Sequence, residues 1–377
     1  MKKFILIVLF LSLVITFFYQ KKSQQQNTDS NFKCEKSDFN CISKSLEQVT
    51  KTSGPKAAIE VLGNLQKMDK VDRGVDEHQL AHMIGRQTAA VYGTNAKAFM
   101  LCPMADYNGG CQHGFFEHVL GKTATAKEAA ETICESIKDG YSSKDYFYCY
   151  HGVGHGVMMA QAYDLKGSLD ICDSLSSKTG TDGCWQGVFM ENVVVGMKGE
   201  AREGIFSEKD PLAPCSEVEE KYKYQCYINH AGYLMVISKN SFPKAADGCK
   251  QAEEHTSTCI QSLGGLTTNS SWQVSVTGKN DKADEVNLAL NLCNEFPEEL
   301  QRDCFTGALD NILNNDGMNL EKRALKYCSG ATLDKGECIK QIGINIARQV
   351  IDREEREKLC NQVDKAYIKD CKVSAGV

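Results

Sequence analysis

The feature that most constrains the fold of this chain is the spacing of its 18 cysteines. They alternate between short gaps of 6–14 residues and long gaps, most of which hold 21–23 residues. This regular alternation favours disulfides between neighbours in the sequence, although longer-range pairing would also satisfy an even cysteine count. The predicted pairs are Cys34–Cys41, Cys102–Cys111, Cys134–Cys149, Cys172–Cys184, Cys215–Cys226, Cys249–Cys259, Cys293–Cys304, Cys328–Cys338 and Cys360–Cys371.

The cysteine count also indicates an oxidising compartment, because disulfides are rare in the reducing cytosol. The chain has no C-x-x-C motif, which excludes zinc ribbons, thioredoxin-like motifs and c-type haem attachment. An apolar run from Phe4 to Tyr19 follows two lysines and is not followed by a small-residue cleavage site. We therefore predict a signal anchor (or a signal peptide) at residues 1–22 and a polar linker at 23–33. The main domain should lie outside the cytoplasm, membrane-anchored, or secreted if the N-terminal segment is cleaved.

The charge of the chain limits the partners it can have. The formal net charge is −6 at pH 7, and no block of basic residues follows the predicted anchor. Nucleic acid is therefore excluded as a partner, because its recognition depends on a basic surface. The predicted partners are the membrane, through the N-terminal helix, and a protein or peptide on a concave face.

Each long gap between cysteines is typical of a helix, a turn and a second helix. We call the helix that ends near the first cysteine of a pair the A helix, and the helix that starts at the second cysteine the B helix. Repetition of such hairpins predicts an all-α fold, an α-solenoid or toroid-like array of disulfide-stapled helical hairpins. The step from Cys34 to Cys102 is double, which predicts a hairpin without cysteines whose B helix starts near Asp76. The predicted organisation is N-terminal repeats at 34–197 and C-terminal repeats at 198–377.

A histidine pattern recurs in phase with the cysteines of the N-terminal repeats. The residues two and six places after the second cysteine are His113 and Glu117 in one unit and His151 and His155 in the next. With Asp76 in the place of a cysteine, a third unit contributes His78 and His82 in the same phase. Residues four apart lie on one face of a helix. Stacked B helices should therefore gather these side chains on one wall.

The predicted site is a transition-metal site with six candidate ligands. Imidazole and carboxylate ligands favour Zn²⁺ first, with Cu or Fe as alternatives. The ligands are His78, His82, His113, Glu117, His151 and His155. If the protein is a hydrolase, Glu117 is the candidate catalytic general base on a metal-bound water. Whether it is an enzyme is left open by the sequence.

Other interpretations of the histidines remain open at this point. They could form a neutral hydrogen-bonded network, or they could bind a substrate without metal. The protein could also be a repeat scaffold that binds a protein or peptide on its concave face, with the histidines merely lining it. The site could also capture or deliver a metal without catalysis.

Several neighbouring residues are weaker candidates. Arg86 lies on the helical face of His78 and His82, where it could pair with an acid or bind an anionic substrate. Glu191, one place beyond the repeat position in the following unit, could still lean towards the site. Small residues recur just inside the B helices, among them Gly114 and Gly187. We interpret them as places of close helix–helix contact.

Overall fold

The computed structural model describes residues 34–36, 38–68, 70–71, 75–103, 106–121, 126–197, 206, 210–268, 285–331 and 334–377. The predicted signal anchor and linker lie outside these residues. Among the described helices, none is both long and apolar enough to cross a membrane. The predicted division into N-terminal and C-terminal repeats at 197/198 stays a prediction.

All secondary structure in the described residues is helical, which confirms the all-α prediction. Three 3₁₀ helices, at Asp106–Gly109, Lys250–His255 and Lys365–Tyr367, accompany the α-helices. The α-helices are α1 (Phe39–Ser53), α2 (Pro55–Lys67), α3 (Val75–Tyr92), α4 (Ala96–Phe99), α5 (Gly110–Leu120), α6 (Ala126–Glu135), α7 (Ser143–Ala160), α8 (Leu165–Asp173), α9 (Lys178–Met197), α10 (Glu220–Ile237), α11 (Phe242–Cys249), α12 (Thr256–Thr267), α13 (Glu285–Asn294), α14 (Glu298–Asn315), α15 (Ala324–Gly330), α16 (Lys335–Gln349), α17 (Arg353–Cys360) and α18 (Ile368–Ala375).

The nine disulfides join the pairs predicted from the spacing. The paired residues are 7–15 positions apart in the sequence, and their Cα atoms are 5.4–5.7 Å apart, within the usual range for a disulfide. A typical bridge joins the end of an A helix to the following B helix, as Cys134 of α6 joins Cys149 of α7. This bridge therefore closes the hairpin of α6 and α7. Three bridged cysteines, Cys34, Cys102 and Cys215, lie outside the described helices.

The start of the B helices differs in one respect from the prediction. Cys149 does not begin α7 but lies six residues inside it. The Ser142 side chain accepts a hydrogen bond from the backbone N–H of Asp145, whose carboxylate accepts one from Ser142 in return. This capping box starts the helix upstream of the cysteine. The cysteine-free hairpin is confirmed: α2 ends at Lys67 and α3 starts at Val75, next to the expected start at Asp76.

The B helix α5 lies in the interior of the fold. Every residue of α5 except His118 is buried, as expected for a helix that is surrounded by others. Contacts run in sequence order through α3, α5, α7, α9, α10, α12, α14, α16 and α18. In addition, α16 returns to contact α7. There the Ser143 hydroxyl donates to the Arg348 carbonyl over 3.0 Å, and Lys144 Nζ donates to Gln349 Oε1 over 2.9 Å.

Glycines bring neighbouring B helices into backbone contact. A Cβ at Gly114 of α5 would overlap the carbonyl oxygen of His82 in α3. A Cβ at Gly187 of α9 would overlap the carbonyl oxygen of His151 in α7. These contacts confirm the interpretation of the glycines as sites of close helix packing. They also hold the backbone of two site histidines directly against the next helix.

Candidate metal centre

Three consecutive B helices supply the histidines of the predicted site. His78 and His82 lie on α3, His113 and Glu117 on α5, and His151 and His155 on α7. The structure brings the five imidazoles into one cluster, in which neighbouring ring centroids are 4.2–5.7 Å apart. The shared phase of the repeats, including the alignment of α3, therefore predicted which histidines would meet.

The cluster lies in the interior of the protein. His113 is 0% exposed, His155 1%, and His82 and His151 2% each, whereas His78 is only partly buried at the edge of the cluster. Burial of several imidazoles together disfavours protonation, because each charge would lose water and repel its neighbours. Neutral imidazole is also the form that binds a metal.

The pKa values of these histidines follow from this environment. Burial first, and then the nearby His82, lowers the pKa of His78 to about 3. Burial first, and then His155, lowers the pKa values of both His113 and His151 well below their usual range. The three rings are therefore neutral at physiological pH.

Hydrogen-bond acceptors fix the proton positions on three of the rings. Nδ1 of His82 is 2.5 Å from Oε1 of Glu117, and Nδ1 of His155 is 2.8 Å from Oε2 of Glu191. Nδ1 of His78 is 2.7 Å from the backbone carbonyl oxygen of Tyr107. These oxygens accept hydrogen bonds, so each Nδ1 carries the proton and each Nε2 of a neutral ring presents a lone pair. Carboxylates and carbonyls bind metal-ligating histidines in this way.

The Nε2 atoms of these rings face one another in close pairs. Nε2 of His78 and Nε2 of His82 are 2.9 Å apart, and Nε2 of His151 and Nε2 of His155 are 3.2 Å apart. Ligand atoms of a tetrahedral zinc site are roughly 3.3–3.4 Å apart, given a Zn–N distance of about 2.0–2.1 Å. Both pairs are therefore close to the spacing that one metal ion requires of two ligands.

Two groups of three histidines have ligand nitrogens within 4.8 Å of one another. The first group is His78, His82 and His113, and the second is His113, His151 and His155. His113 belongs to both. Its Nδ1 and Nε2 are both buried and have no hydrogen-bond partner among the described residues.

Glu117 lies between His82 and Arg86. Its carboxylate binds Nδ1 of His82 through one oxygen and the Arg86 guanidinium through the other. Burial alone would raise the pKa of Glu117, but His82 and Arg86 lower it to about 2. The predicted roles of Glu117 as a ligand and general base stay predictions. Arg86 pairs with an acid, which was the first of its two predicted roles.

Sequence reasoning found the remaining contacts only in part. Glu191 does lean towards the site, where it binds His155. The contact of His78 with the backbone carbonyl of Tyr107 involves no side chain of Tyr107, so the residue type gives no signal for it. The Tyr148 ring lies beside His151, with the ring centroids 5.4 Å apart.

Three histidines lie outside the cluster: His118, His230 and His255. His230 Nε2 is 2.7 Å from the Pro211 carbonyl oxygen. His255 Nε2 is 2.8 Å from Oε1 of Glu220. Both therefore have local structural partners.

Comparison of the chain with protein-family models, curated proteins and solved structures finds no match.

Proposed function

We propose that this protein binds transition-metal ions through the imidazoles of His78, His82, His113, His151 and His155. One observation carries the proposal. Two Nε2 atoms face each other, while the Nδ1–H group of each ring donates to an oxygen on the other side of the ring. In the pair His78–His82, both Nδ1 atoms donate to oxygens. Two lone pairs 2.9 Å apart repel each other unless a cation lies between them.

This arrangement argues against a neutral hydrogen-bonded network and against a peptide-binding scaffold. In the pair His78–His82, a network would need a proton between the two Nε2 atoms. Because both Nδ1 atoms already donate to oxygens, one ring would then be an imidazolium rather than a neutral imidazole. A scaffold for a protein or peptide would have no use for fully buried imidazoles, because a partner would contact exposed side chains.

Zinc is the metal that we assign first, with copper and iron as alternatives, because neutral imidazoles suit all three. Glu117 and Glu191 then act on the metal through the histidines that they bind, as carboxylates do in carboxylate–histidine–zinc arrangements. In this assignment Glu117 is not a metal ligand and not a general base, since Arg86 and His82 already occupy its two oxygens. The burial of the ligands favours retention of the metal over turnover of a large substrate.

The wider architecture that we propose is an α-solenoid that curves into a toroid-like shape. The sequential contacts of the B helices and the return contact between α16 and α7 support it. The nine disulfides indicate an oxidising compartment outside the cytoplasm. The predicted N-terminal anchor would tether this array to a membrane.

Metal content tests the proposal. The oxidised full-length protein, exposed to Zn²⁺ and then desalted, is expected to retain zinc in stoichiometric amount. The double variant His113→Ala/His151→Ala removes two ligands and is expected to lose it. Zinc is measured by elemental analysis, and circular dichroism reports whether the variant keeps its helices.

The matched control is His230→Ala, which removes a histidine outside the three candidate metal groups of the described residues and should leave the zinc content unchanged. A wild-type protein that retains no zinc, copper or iron would refute the proposed function. So would a folded double variant that retains as much metal as the wild type.

A further inference from the structure

His113 is the cluster histidine for which neither ring nitrogen has a hydrogen-bond partner among the described residues, whereas His151 lacks one only at Nδ1. His78, His82 and His155 each present Nδ1 to an oxygen and keep one nitrogen for a metal. Both nitrogens of His113 are fully buried without a hydrogen-bond partner in the described part of the chain. Burying two such atoms unpaired is costly, and a metal at each of them would remove the cost.

A glycine lies beside one of the ring nitrogens of His113. Gly109, which precedes α5, has φ +75°, a conformation that residues with a side chain rarely adopt. A Cβ at this position would lie 3.1 Å from Nε2 of His113. The turn therefore keeps a side chain away from this ring nitrogen.

The cluster contains two similar halves, one on either side of His113, and each half consists of two histidines and one glutamate. On one side, His78 and His82 face each other through Nε2, and Glu117 binds His82. On the other side, His151 and His155 face each other through Nε2, and Glu191 binds His155. Each half thus holds a close imidazole pair and one carboxylate. The carboxylate binds His82 in the first half and His155 in the second. A single metal would use only one half of this arrangement.

We infer that the centre is binuclear and that the imidazole of His113 bridges two metal ions. One ion is bound by Nε2 of His78, Nε2 of His82 and one nitrogen of His113. The other is bound by Nε2 of His155, a nitrogen of His151 and the second nitrogen of His113. This inference rests on the proposed metal-binding function and specifies its stoichiometry and its bridging residue.

The bridge requires a balanced loss of one proton. Neutral His113 holds a single N–H proton and can bind the first metal ion through its other nitrogen. When the second ion binds, this N–H bond breaks, a metal–nitrogen bond forms and the proton passes to solvent. His113 then carries one negative charge as imidazolate. Glu117 and Glu191 add one negative charge behind each ion, which offsets part of the charge of the two dications.

Copper loading provides a test with a magnetic readout. The oxidised full-length protein is titrated with Cu²⁺, and bound copper is measured by elemental analysis. Electron paramagnetic resonance then gives the copper that is magnetically isolated. We expect two Cu²⁺ per chain, with most of the resonance intensity lost on binding of the second ion, because an imidazolate couples the two unpaired electrons. One proton should be released with that second ion.

Two controls separate the bridge from other causes of signal loss. Protein loaded with one Cu²⁺ and one Zn²⁺ per chain should show the full intensity of its copper, because Zn²⁺ has no unpaired electron. His113→Ala should weaken copper binding by more than the ~10–100-fold typical of an outer partner, and any copper it retains should be fully visible. His230→Ala, which changes a histidine outside the candidate metal groups of the described residues, should behave as the wild type.

The outcomes distinguish this inference from the proposed function beneath it. One Cu²⁺ per chain, or two with full resonance intensity, would refute the bridge while leaving metal binding intact. No bound copper, zinc or iron at all would refute both. Loss of intensity that persists unchanged in folded His113→Ala would show that another residue, or none, couples the ions.

Discussion

Reduction of the nine disulfides is expected to unfold the protein under conditions where the oxidised form is fully helical. Each bridge closes a loop of 7–15 residues. A loop of this size contributes about 2–3 kcal/mol by restricting the unfolded chain. Natural domains are stable by only about 5–15 kcal/mol. The stability lost with all nine bridges therefore exceeds the free energy of unfolding of an ordinary domain, even if the contributions of the bridges are far from additive.

The measurement compares thermal unfolding of the oxidised chain with refolding of the fully reduced chain after removal of denaturant. Reduction must be done in denaturant, because the cystine sulfurs lie in the core: Cys134 and Cys149 are each 0% exposed. The matched control is the double variant Cys360→Ser/Cys371→Ser, which removes only the last bridge and should lower the midpoint without abolishing the fold. A reduced chain that refolds and melts at the same temperature as the oxidised one would contradict this view of the fold.

Zinc is expected to stabilise the folded protein by about 4 kcal/mol when free zinc is a thousand-fold above its dissociation constant. The reason is that the five imidazoles come from three helices, so the unfolded chain offers no preformed site. The expected result is a large rise in the denaturant midpoint of the oxidised protein on zinc loading. Addition of a chelator should reverse it.

The carboxylates of Glu117 and Glu191, which bind His82 and His155, should increase the zinc affinity and so the stabilisation by zinc. Glu117→Gln and Glu191→Gln keep the shape of each side chain but remove its charge, and each should weaken zinc affinity by about 10–100-fold. The exposed Glu60 of α2 provides the control variant Glu60→Gln, which should bind zinc as the wild type does. Equal zinc affinity in all four proteins would contradict the role that we assign to Glu117 and Glu191.

Much of the fold could be predicted because the cysteine spacing is a local signal. A bridge such as Cys134–Cys149 joins residues that are already close along the chain, so its pairing needs no knowledge of tertiary structure. The start of α7 was misplaced because its capping box at Ser142 and Asp145 is a competing local signal, and it lies upstream of the cysteine. The close approach of α3 and α5 at Gly114 could also be predicted from the sequence, because only a residue without a side chain fits at such a contact.

The sequence predicted which histidines meet in the candidate site. It did not predict which partner each carboxylate contacts. The i, i+4 spacing shows that His113 and Glu117 share a face of α5, and it does not show which neighbour that face meets. Contact between α3 and α5 places the carboxylate of Glu117 on Nδ1 of His82. Glu191 was only a weak candidate because it lies one place beyond the repeat position, and only the packing of α9 on α7 aims it at His155.

X-ray absorption at the zinc edge of the zinc-loaded, oxidised protein tests the central claim most directly. The account predicts a shell of nitrogen ligands at about 2.0–2.1 Å with the outer scattering of imidazole rings, and no sulfur at about 2.3 Å. A sulfur shell would mean that the metal binds reduced cysteines. A shell without imidazole scattering would mean that the histidine cluster is not the metal site.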